Sequence, residues 1–276
     1  MTPNLTFSKM HGAGNDFVVA DDRSLTFPAE NKAWIASLCS RRTGVGADGL
    51  LLVQPSDTAD FRMRYFNADG GEVDMCGNGA RCIARFAHDH GAAPGNMSFE
   101  TMAGLIRAEI VGERVRLAMT EPHDWRLDRD LVWQGETLAY DFVNTGVEHV
   151  VLRRDTIASV DLVPLGRGLR YHEAFQPRGT NVNVIEVTGP RDLAIRTYER
   201  GVEDETLACG TGMVASALIA ARKGWVEASP VRLTCASGDV LEVGFTLTEN
   251  GAAEVTLFGP AVYVFSGALP FSSPLT

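Results

Sequence analysis

Two cysteines of this chain stand in nearly the same short motif. Cys76 lies in DMCGNGARC and Cys209 in LACGTGMVA, so each precedes Gly-x-Gly and a segment with helical spacing. A cysteine at a helix N-terminus faces free backbone N–H groups and the positive end of the helix dipole, which both stabilise a thiolate. Such positions lower a thiol pKa from about 8.5 to between about 3.5 and 7.5. The glycines leave N–H donors uncovered, so these turns could also hold a substrate carboxylate.

Two equivalent thiols suit a reaction that treats both faces of one carbon alike. In racemisation by two bases, a thiolate removes a proton while a thiol on the opposite face supplies another. Because the α-proton of an amino acid is very weakly acidic, the site must exclude water and direct N–H donors at the carboxylate that gains charge. Two domains closing over a cleft could provide this, and we predict an active site in such a cleft.

The other three cysteines are predicted to be packing residues. Cys39 lies in an apolar helical pattern, Cys82 lies inside the helix after Cys76, and Cys235 lies in a predicted strand. No C-x-x-C or H-x-x-x-H pair occurs in the sequence, so we expect no metal site.

The segment GVGADG, residues 44 to 49, satisfies the dinucleotide-binding pattern G-x-G-x-x-G. A predicted helix precedes it and a predicted strand, LLLVQP, follows it. This order is the reverse of the one that a dinucleotide site requires. We therefore predict no nucleotide cofactor.

Composition narrows the class of protein further. The chain has 276 residues, 45% of them hydrophobic, and a formal net charge of −10. The sequence contains no basic stripe, which argues against nucleic acid as a partner. Neither an apolar run of membrane-spanning length nor the apolar core of a signal peptide is present, so we expect a cytoplasmic protein without a membrane partner. Its thiols would be free there.

The two halves of the chain repeat each other weakly. GNDFVVADD begins at Gly14, and the similar GVEHVVLRRD begins at Gly146, 132 residues later. Cys76 and Cys209 are 133 residues apart, and each has a glutamate four residues before it. Two matches in register predict a duplicated domain of about half the chain.

Hydrophobic periodicity predicts many strands and few helices. Alternation over residues 97 to 119 and 230 to 268 is typical of β-meanders. Helices are predicted over residues 29–41, 77–90, 161–173 and 210–223. Each half therefore has many strands around one prominent helix, which makes the fold class α+β. The boundary is predicted near residues 120 to 128, where the alternation lapses.

Longer motifs connect the chain to a known family. They are KMHGAGNDFVV, GVGADGLL, FNADGGEVDMCGNGARC, GTNVNV and YERGVEDETLACGTG. With them the sequence resembles the diaminopimelate epimerases, cofactor-independent isomerases that interconvert LL- and meso-diaminopimelate for lysine and peptidoglycan synthesis. The resemblance covers nearly the whole chain. It implies an amino-acid substrate, no cofactor, and a homodimer.

The resemblance also implies a domain organisation. The two domains would be similar and pseudo-symmetric, each a β-rich, barrel-like sheet around a central helix. Residues 1–121, joined by a C-terminal strand at about 264–276, would form the first domain. Residues 122–263 would form the second.

The resemblance assigns roles to individual residues. Cys76 and Cys209 would be the two bases, and His149 and Glu199 would assist them. Substrate would be bound by Asn15, Asn67, Gly77, Asn78, Asn181, Glu199, Arg200, Gly210 and Thr211. Arg200 would hold the distal carboxylate, because a guanidinium fork grips a carboxylate with two hydrogen bonds. Without the family, the asparagines would be ordinary turn residues, His149 structural, and Glu199 and Arg200 a surface ion pair.

The chain departs from the family pattern at two places. Members commonly carry Gly-Asn-Pro-His where residues 146 to 149 read Gly-Val-Glu-His, so one asparagine contact to substrate is missing. Some members have glutamine in place of Gly49. Three alternatives stay open: a racemase for a proline- or histidine-like amino acid, a thiol redox protein in which Cys76 and Cys209 form a disulfide, and a binding protein for amino acids.

Overall fold

The structure, a computed structural model, describes residues 4–227 and 229–270 and divides the chain into two compact units. Unit 1 extends to Leu117 and takes in the chain again from Gly259, whereas unit 2 comprises Ala118–Phe258. These divisions fall a few residues before the predicted ones. The predicted C-terminal strand extends past residue 270, and that part lies outside the described residues.

The helices lie where the periodicity predicts them. They are α1 (Lys32–Cys39), α2 (Gly77–Asp89), α3 (Leu162–Arg170) and α4 (Gly210–Arg222), with a short 3-10 helix at Glu173–Phe175. The strands, in chain order, are β1 (Asn4–Gly12), β2 (Asn15–Asp21), β3 (Gly49–Gln54), β4 (Phe61–Asn67), β5 (Glu72–Val73), β6 (Asn96–Thr101), β7 (Gly104–Val111), β8 (Arg114–Ala118), β9 (His123–Trp133), β10 (Glu136–Asn144), β11 (Glu148–Arg153), β12 (Asn181–Gly189), β13 (Asp192–Glu199), β14 (Asp204–Thr206), β15 (Val231–Thr234), β16 (Val240–Leu247), β17 (Ala252–Pro260) and β18 (Val262–Pro270).

The strands of unit 1 pair in the following order. β1 and β2 are antiparallel, β2 and β3 parallel, and β3 and β4 antiparallel. β4 then pairs antiparallel with β5 and parallel with β6, and β6, β7 and β8 form an antiparallel meander. Helix α1 lies in the chain between β2 and β3, and α2 lies between β5 and β6. β18 pairs antiparallel with β1.

Unit 2 repeats this order. β10 and β11 are antiparallel, β11 and β12 parallel, and β12 and β13 antiparallel. β13 pairs antiparallel with β14 and parallel with β15, which continues antiparallel through β16 to β17. Helix α3 lies between β11 and β12, α4 lies between β14 and β15, and β9 pairs with β10 as β18 does with β1. The predicted α+β fold of two similar domains is therefore confirmed.

Strand register defines equivalent positions in the two units. Phe17 on β2 pairs with Gly49 on β3, and His149 on β11 pairs with Asn181 on β12. Each residue of the second pair stands 132 positions after its counterpart, which is the offset between the two repeated segments.

Helices α2 and α4 are the central helices of their units. α2 packs against β1, β2, β3, β4 and β7, and α4 packs against β10, β11, β12, β13, β15 and β16. Nearly every residue of α4 is buried, which agrees with a sequence, GTGMVASALIAAR, that is apolar all round. Small side chains let the surrounding strands approach both helices closely.

Two details of the strand prediction are wrong. Residues 120 to 128 include the start of β9 (His123–Trp133), although their alternation lapses. Of β9 only Leu131 is buried, and a strand with little burial needs no apolar alternation. Cys235 follows β15 (Val231–Thr234) instead of lying within it, and it is buried there.

Membrane-spanning helices are not found in the described stretches: none of their helices is long and apolar enough to cross a bilayer.

Gly49 is closely packed between strands. A Cβ at this position would lie 2.4 Å from the carbonyl O of Phe66 and 2.7 Å from Cε2 of Tyr65. The glutamine that some family members carry here would therefore require β3 or β4 to shift.

We expect Gly49→Gln to lower the free energy of unfolding by about 1–3 kcal/mol, because overpacking against backbone forces a displacement. Denaturant unfolding measures the change. Gly95→Gln is the matched control, since a Cβ at Gly95 would meet Cε1 of His88 at an ordinary 3.8 Å. Equal stability of the two variants would contradict the close packing at Gly49.

Candidate active site

Cys76 and Cys209 are the N-cap residues of the two central helices. Their backbones are extended, at φ −138° and ψ 125° for Cys76 and φ −116° and ψ 108° for Cys209. The carbonyl O of each accepts the first helical hydrogen bond, from Ala80 N at 2.8 Å and from Met213 N at 3.0 Å. Gly77 and Gly210 are the first residues of α2 and α4. The backbone N–H groups that begin both helices thus lie beside a thiol.

The strands that lead to the two cysteines are anchored in the same way. Arg64 donates two hydrogen bonds of 2.8 Å to the carboxylate of Glu72, which precedes Cys76 by four residues. Arg196 donates bonds of 2.8 and 2.7 Å to Glu205, which stands in the same place before Cys209. Such bidentate pairs fix both distance and direction. They explain the repeated glutamates of the sequence.

The remaining cysteines are suited to packing rather than proton transfer. Cys39, Cys82 and Cys235 are buried, as is Cys209, whereas Cys76 is partly exposed. Burial raises the pKa of Cys82 to about 12 and that of Cys39 to about 11. Those two thiols therefore stay protonated at neutral pH.

In unit 1, Asn15 and Asn78 lie at Cys76. The Cys76 Sγ lies 3.4 Å from Oδ1 of Asn15, and Asn78 Nδ2 donates to the same oxygen at 3.4 Å. Asn15 Nδ2 donates in turn to Oδ2 of Asp48 at 2.6 Å. Asn67, at the end of β4, is partly buried and pairs in register with Gly49. The structure therefore brings three of the predicted residues together and places Asn67 two strands from Asn15.

In unit 2, Asn181 and Arg200 are joined through Glu148. Asn181 Nδ2 donates to the carbonyl O of Glu148 at 2.9 Å, and Asn181 Oδ1 accepts from the backbone N of Arg200 at 2.9 Å. The Arg200 guanidinium donates to Oε2 of Glu148 at 2.7 Å. Burial opposes ionisation of Glu148, but hydrogen bonds from its own backbone N–H and from Arg200 outweigh burial and lower its pKa. Arg200 is thus already paired with the carboxylate of Glu148, which belongs to the Gly-Val-Glu-His segment that departs from the family pattern.

Glu199 and Arg200 do not form the surface ion pair that their sequence neighbourhood allows. Glu199 Oε2 accepts a hydrogen bond of 2.9 Å from Oγ1 of Thr206, while Arg200 pairs with Glu148. Burial raises the pKa of Glu199. A carboxyl group in such surroundings is a candidate for proton transfer or for binding an ammonium group.

His149 is fully buried on β11 and binds Asn183. The amide N of Asn183 donates to the carbonyl O of Val150 at 2.9 Å, which sets the orientation of the amide. The same N lies 3.1 Å from Nδ1 of His149, so Nδ1 accepts and the ring proton is on Nε2. Burial, with the charge of Arg200, lowers the pKa of His149 from 6.5 to about 3, so the ring is neutral at neutral pH.

Asn183 connects His149 to the N-terminus of α4, and the sequence analysis missed it. A Cβ on Gly212 would lie 2.3 Å from Oδ1 of Asn183 and 3.4 Å from Sγ of Cys209, so only glycine fits. The sequence signal that could have identified Asn183 is its spacing from Asn181 in GTNVNV, since residues two apart on a strand share a face. Thr211 Oγ1 lies 3.5 Å from Sγ of Cys209.

Within residues 4–227 and 229–270, no group of three or more His, Cys, Asp or Glu side chains is arranged to hold a metal ion.

The sequence profile of the diaminopimelate epimerase family matches residues 7–125 and 142–264. The chain is 41% identical to the diaminopimelate epimerase of Aquifex aeolicus, over 96% of this chain and 98% of that protein. It is 45% identical to the diaminopimelate epimerase of Chlorobaculum tepidum, over 94% of this chain and 99% of that protein.

The chain belongs to the diaminopimelate epimerase family.

Solved structures of other isomerases share the fold of this family member. A hydroxyproline epimerase from Agrobacterium vitis superposes with a TM-score of 0.71 at 17% identity, covering 100% of this chain and 95% of that one. A probable proline racemase from Agrobacterium radiobacter gives a TM-score of 0.68 at 18% identity, with 98% and 95% covered. At these identities the likeness extends to the fold alone.

The buried neutral His149 makes the stability of this epimerase-family protein depend on pH. The unfolded chain takes up a proton at His149 near pH 6.5, whereas the folded protein resists it down to about pH 3. The contribution of the neutral His149 ring to the free energy of unfolding is therefore complete above pH 6.5, and it is lost as the pH falls towards 3.

Between pH 7 and pH 5, we expect the free energy of unfolding to fall less steeply in His149→Gln than in the parent protein. The two slopes should differ by up to about 1.4 kcal/mol per pH unit. Urea unfolding at several pH values measures the slope. His123→Gln, at an exposed position on β9, is the control. An unaltered slope in His149→Gln would contradict a neutral buried ring.

Proposed function

We propose that this protein interconverts LL- and meso-2,6-diaminopimelate by proton transfer at an α-carbon between Cys76 and Cys209. The thiolate of one cysteine takes the α-proton, so the Cα–H bond breaks and an S–H bond forms. The thiol of the other gives its proton to the opposite face, so an S–H bond breaks and a new Cα–H bond forms. The charge moves from one sulfur to the other, and the reverse reaction exchanges their roles.

The observation that carries this proposal is the N-cap position of both cysteines. Each sulfur lies at the positive end of a central helix, where a thiolate is stabilised and where backbone N–H groups can bind an anion. The N–H groups of Gly77, Asn78, Gly210 and Thr211 would hold the reacting carboxylate as negative charge develops on it. Membership of the diaminopimelate epimerase family supports the same substrate and reaction.

The distal end of the substrate would be held by charged and polar side chains. Arg200 offers a cation to the distal carboxylate, with Asn181 fixing its backbone through a 2.9 Å hydrogen bond. Asn15, Asn67 and Glu199 offer further polar groups to the ammonium and carboxylate ends. His149 would act on Cys209 through Asn183, because it is buried and its Nδ1 is already occupied. No cofactor takes part in this scheme.

Location and assembly are part of the proposal as well. Five free cysteines fit the reducing cytoplasm. The family resemblance supports a homodimer, and sedimentation at several protein concentrations tests it.

We expect Cys76→Ala and Cys209→Ala each to lower the epimerisation rate about a hundredfold to ten-thousandfold, because each removes a proton-transfer group. Interconversion of LL- and meso-diaminopimelate in deuterated water, with deuterium entry at the α-carbon, measures the loss. Cys82→Ala is the matched control, since Cys82 is buried within α2.

Full epimerase activity in either of the first two variants would exclude the two-thiol reaction. Turnover of proline or histidine instead of diaminopimelate would identify a racemase for another amino acid. Reversible disulfide formation without α-proton exchange would identify a redox protein, and binding without exchange a binding protein.

We expect Arg200→Met to lower kcat/KM for diaminopimelate about tenfold to a hundredfold, because a charge-assisted hydrogen bond to the distal carboxylate is lost. Steady-state kinetics measure the loss, and both active-site thiols should keep their reactivity. Arg191→Met, which removes an exposed partner of Glu227, is the control.

The double variant Glu148→Gln/Arg200→Met tests whether an unpaired Glu148 carboxylate, rather than lost substrate binding, causes the effect. Parent saturation kinetics in Arg200→Met would show that Arg200 does not anchor the substrate.

A further inference from the structure

A directed chain of hydrogen bonds passes beside Cys76 in unit 1. Arg81 Nη2 donates to Oδ1 of Asn78 at 2.8 Å, Asn78 Nδ2 donates to Oδ1 of Asn15 at 3.4 Å, and Asn15 Nδ2 donates to Oδ2 of Asp48 at 2.6 Å. A guanidinium only donates and a carboxylate only accepts, so each amide between them has a single orientation. Asn15 is therefore required to direct its carbonyl oxygen, rather than its NH₂ group, at Cys76.

Asp48 is well placed to be the fixed end of this chain. Arg41 donates to its Oδ1 at 2.7 Å, and the backbone N of Asp16 donates to its Oδ2 at 3.2 Å. The backbone N of Asp48 donates back to the carbonyl O of Asp16 at 2.9 Å. These contacts fix the position of the carboxylate, and with it the amide of Asn15.

An oxygen that can only accept favours the protonated form of a neighbouring thiol. The Sγ of Cys76 lies 3.4 Å from Oδ1 of Asn15, a distance at which S–H donates a hydrogen bond. If the sulfur were a thiolate, its charge would face the lone pairs of the amide oxygen. Hydrogen bonding to the neutral form raises the pKa of an acid. This contact therefore opposes the effect of the helix dipole at the same sulfur.

Unit 2 cannot form the same chain. The positions equivalent to Asn15 and Asp48, 132 residues later, are Val147 and Thr180. One neighbour of the Cys209 sulfur is the hydroxyl of Thr211 at 3.5 Å, which can donate to a thiolate as readily as it can accept from a thiol. The two cysteines thus have matching helix positions and different hydrogen-bonding partners.

Charged and titratable groups also lie on α2 and on the elements packed against it. Those on α2 and its neighbouring strands include Arg81 on α2, Lys9 and His11 on β1, Asp16 on β2, Arg64 on β4 and Glu109 on β7. Lys9 pairs with Asp16, Arg64 with Glu72, and Glu109 with Arg116. All of them are retained in the variants proposed below.

We propose that Asp48 is a positioning residue that acts through Asn15 to keep Cys76 protonated in the resting protein. Cys76 then supplies its proton in the first turnover, while the partner sulfur removes one. This inference rests on the proposed function only in giving Cys76 a role in proton transfer. The state of the thiol itself can be measured without substrate.

The test measures the rate of Cys76 alkylation by iodoacetamide against pH in a Cys209→Ala background. The other three cysteines are buried, so Cys76 is the reactive thiol. Asp48→Ala removes the acceptor that fixes the Asn15 NH₂ group, so that only the 3.4 Å contact from Asn78 opposes a turn of this group towards the sulfur. The midpoint of the profile should then fall by about one pH unit. Asp48→Asn keeps an acceptor for Asn15, and its midpoint should stay near that of the parent. Asp57→Ala, at an exposed loop position, is the control.

Several outcomes would overturn the proposal. One is an unchanged midpoint in a folded Asp48→Ala variant. Another is an equal shift in Asp48→Asn, because loss of the Asp48 charge would then be the cause. If Asp48→Ala does not fold, Asn15→Leu removes the acceptor directly, and its midpoint must also fall. A protein that shows the predicted shifts but does not epimerise diaminopimelate would refute the proposed function and leave this inference standing.

Discussion

The N–H groups at the start of a helix, which the helix itself cannot pair, are the constraint around which each unit of this protein is arranged. α2 and α4 are the central helices of their units, and buried N–H groups without partners are costly. Serine, threonine or aspartate would ordinarily cap them. Here cysteine occupies the N-cap, and neither Cys76 nor Cys209 caps its helix with its side chain. The proposed function gives the N–H groups at the start of each helix a bound anion as their partner, and the strands of each unit hold the helix in position.

Duplication accounts for the architecture, whereas equivalent positions of the two units carry chemically different residues. Phe17 and Gly49 in unit 1 correspond to His149 and Asn181 in unit 2. Unit 1 therefore has a glycine so closely packed that a Cβ would clash with backbone, where unit 2 has an asparagine bonded to Arg200. The substrate proposed above has one reacting and one non-reacting amino-acid end, and residues that differ between equivalent positions would let the protein tell these ends apart.

Buried polar groups in both units are linked in hydrogen bonds of defined direction. In unit 1 the chain passes from Arg81 to Asp48, and in unit 2 Asn183 donates to both His149 and the Val150 carbonyl. Such networks cost free energy when one member is left unpaired, and they leave side chains few alternative orientations. That rigidity suits proton transfer, which depends on which atom carries the hydrogen.

The sequence by itself determined the family, the α+β class, the duplication, and the helix positions of Cys76 and Cys209, because these follow from local periodicity and from motifs of adjacent residues. It was wrong where burial is slight, since β9 has little apolar alternation to detect. Only the tertiary structure decided that Arg200 pairs with Glu148, that Asn183 binds His149, and that Asp48 fixes Asn15. These partners are separated by 33 to 52 positions in the chain. Strand pairing brings them together, and no local pattern of residue types encodes which distant side chain a donor will reach.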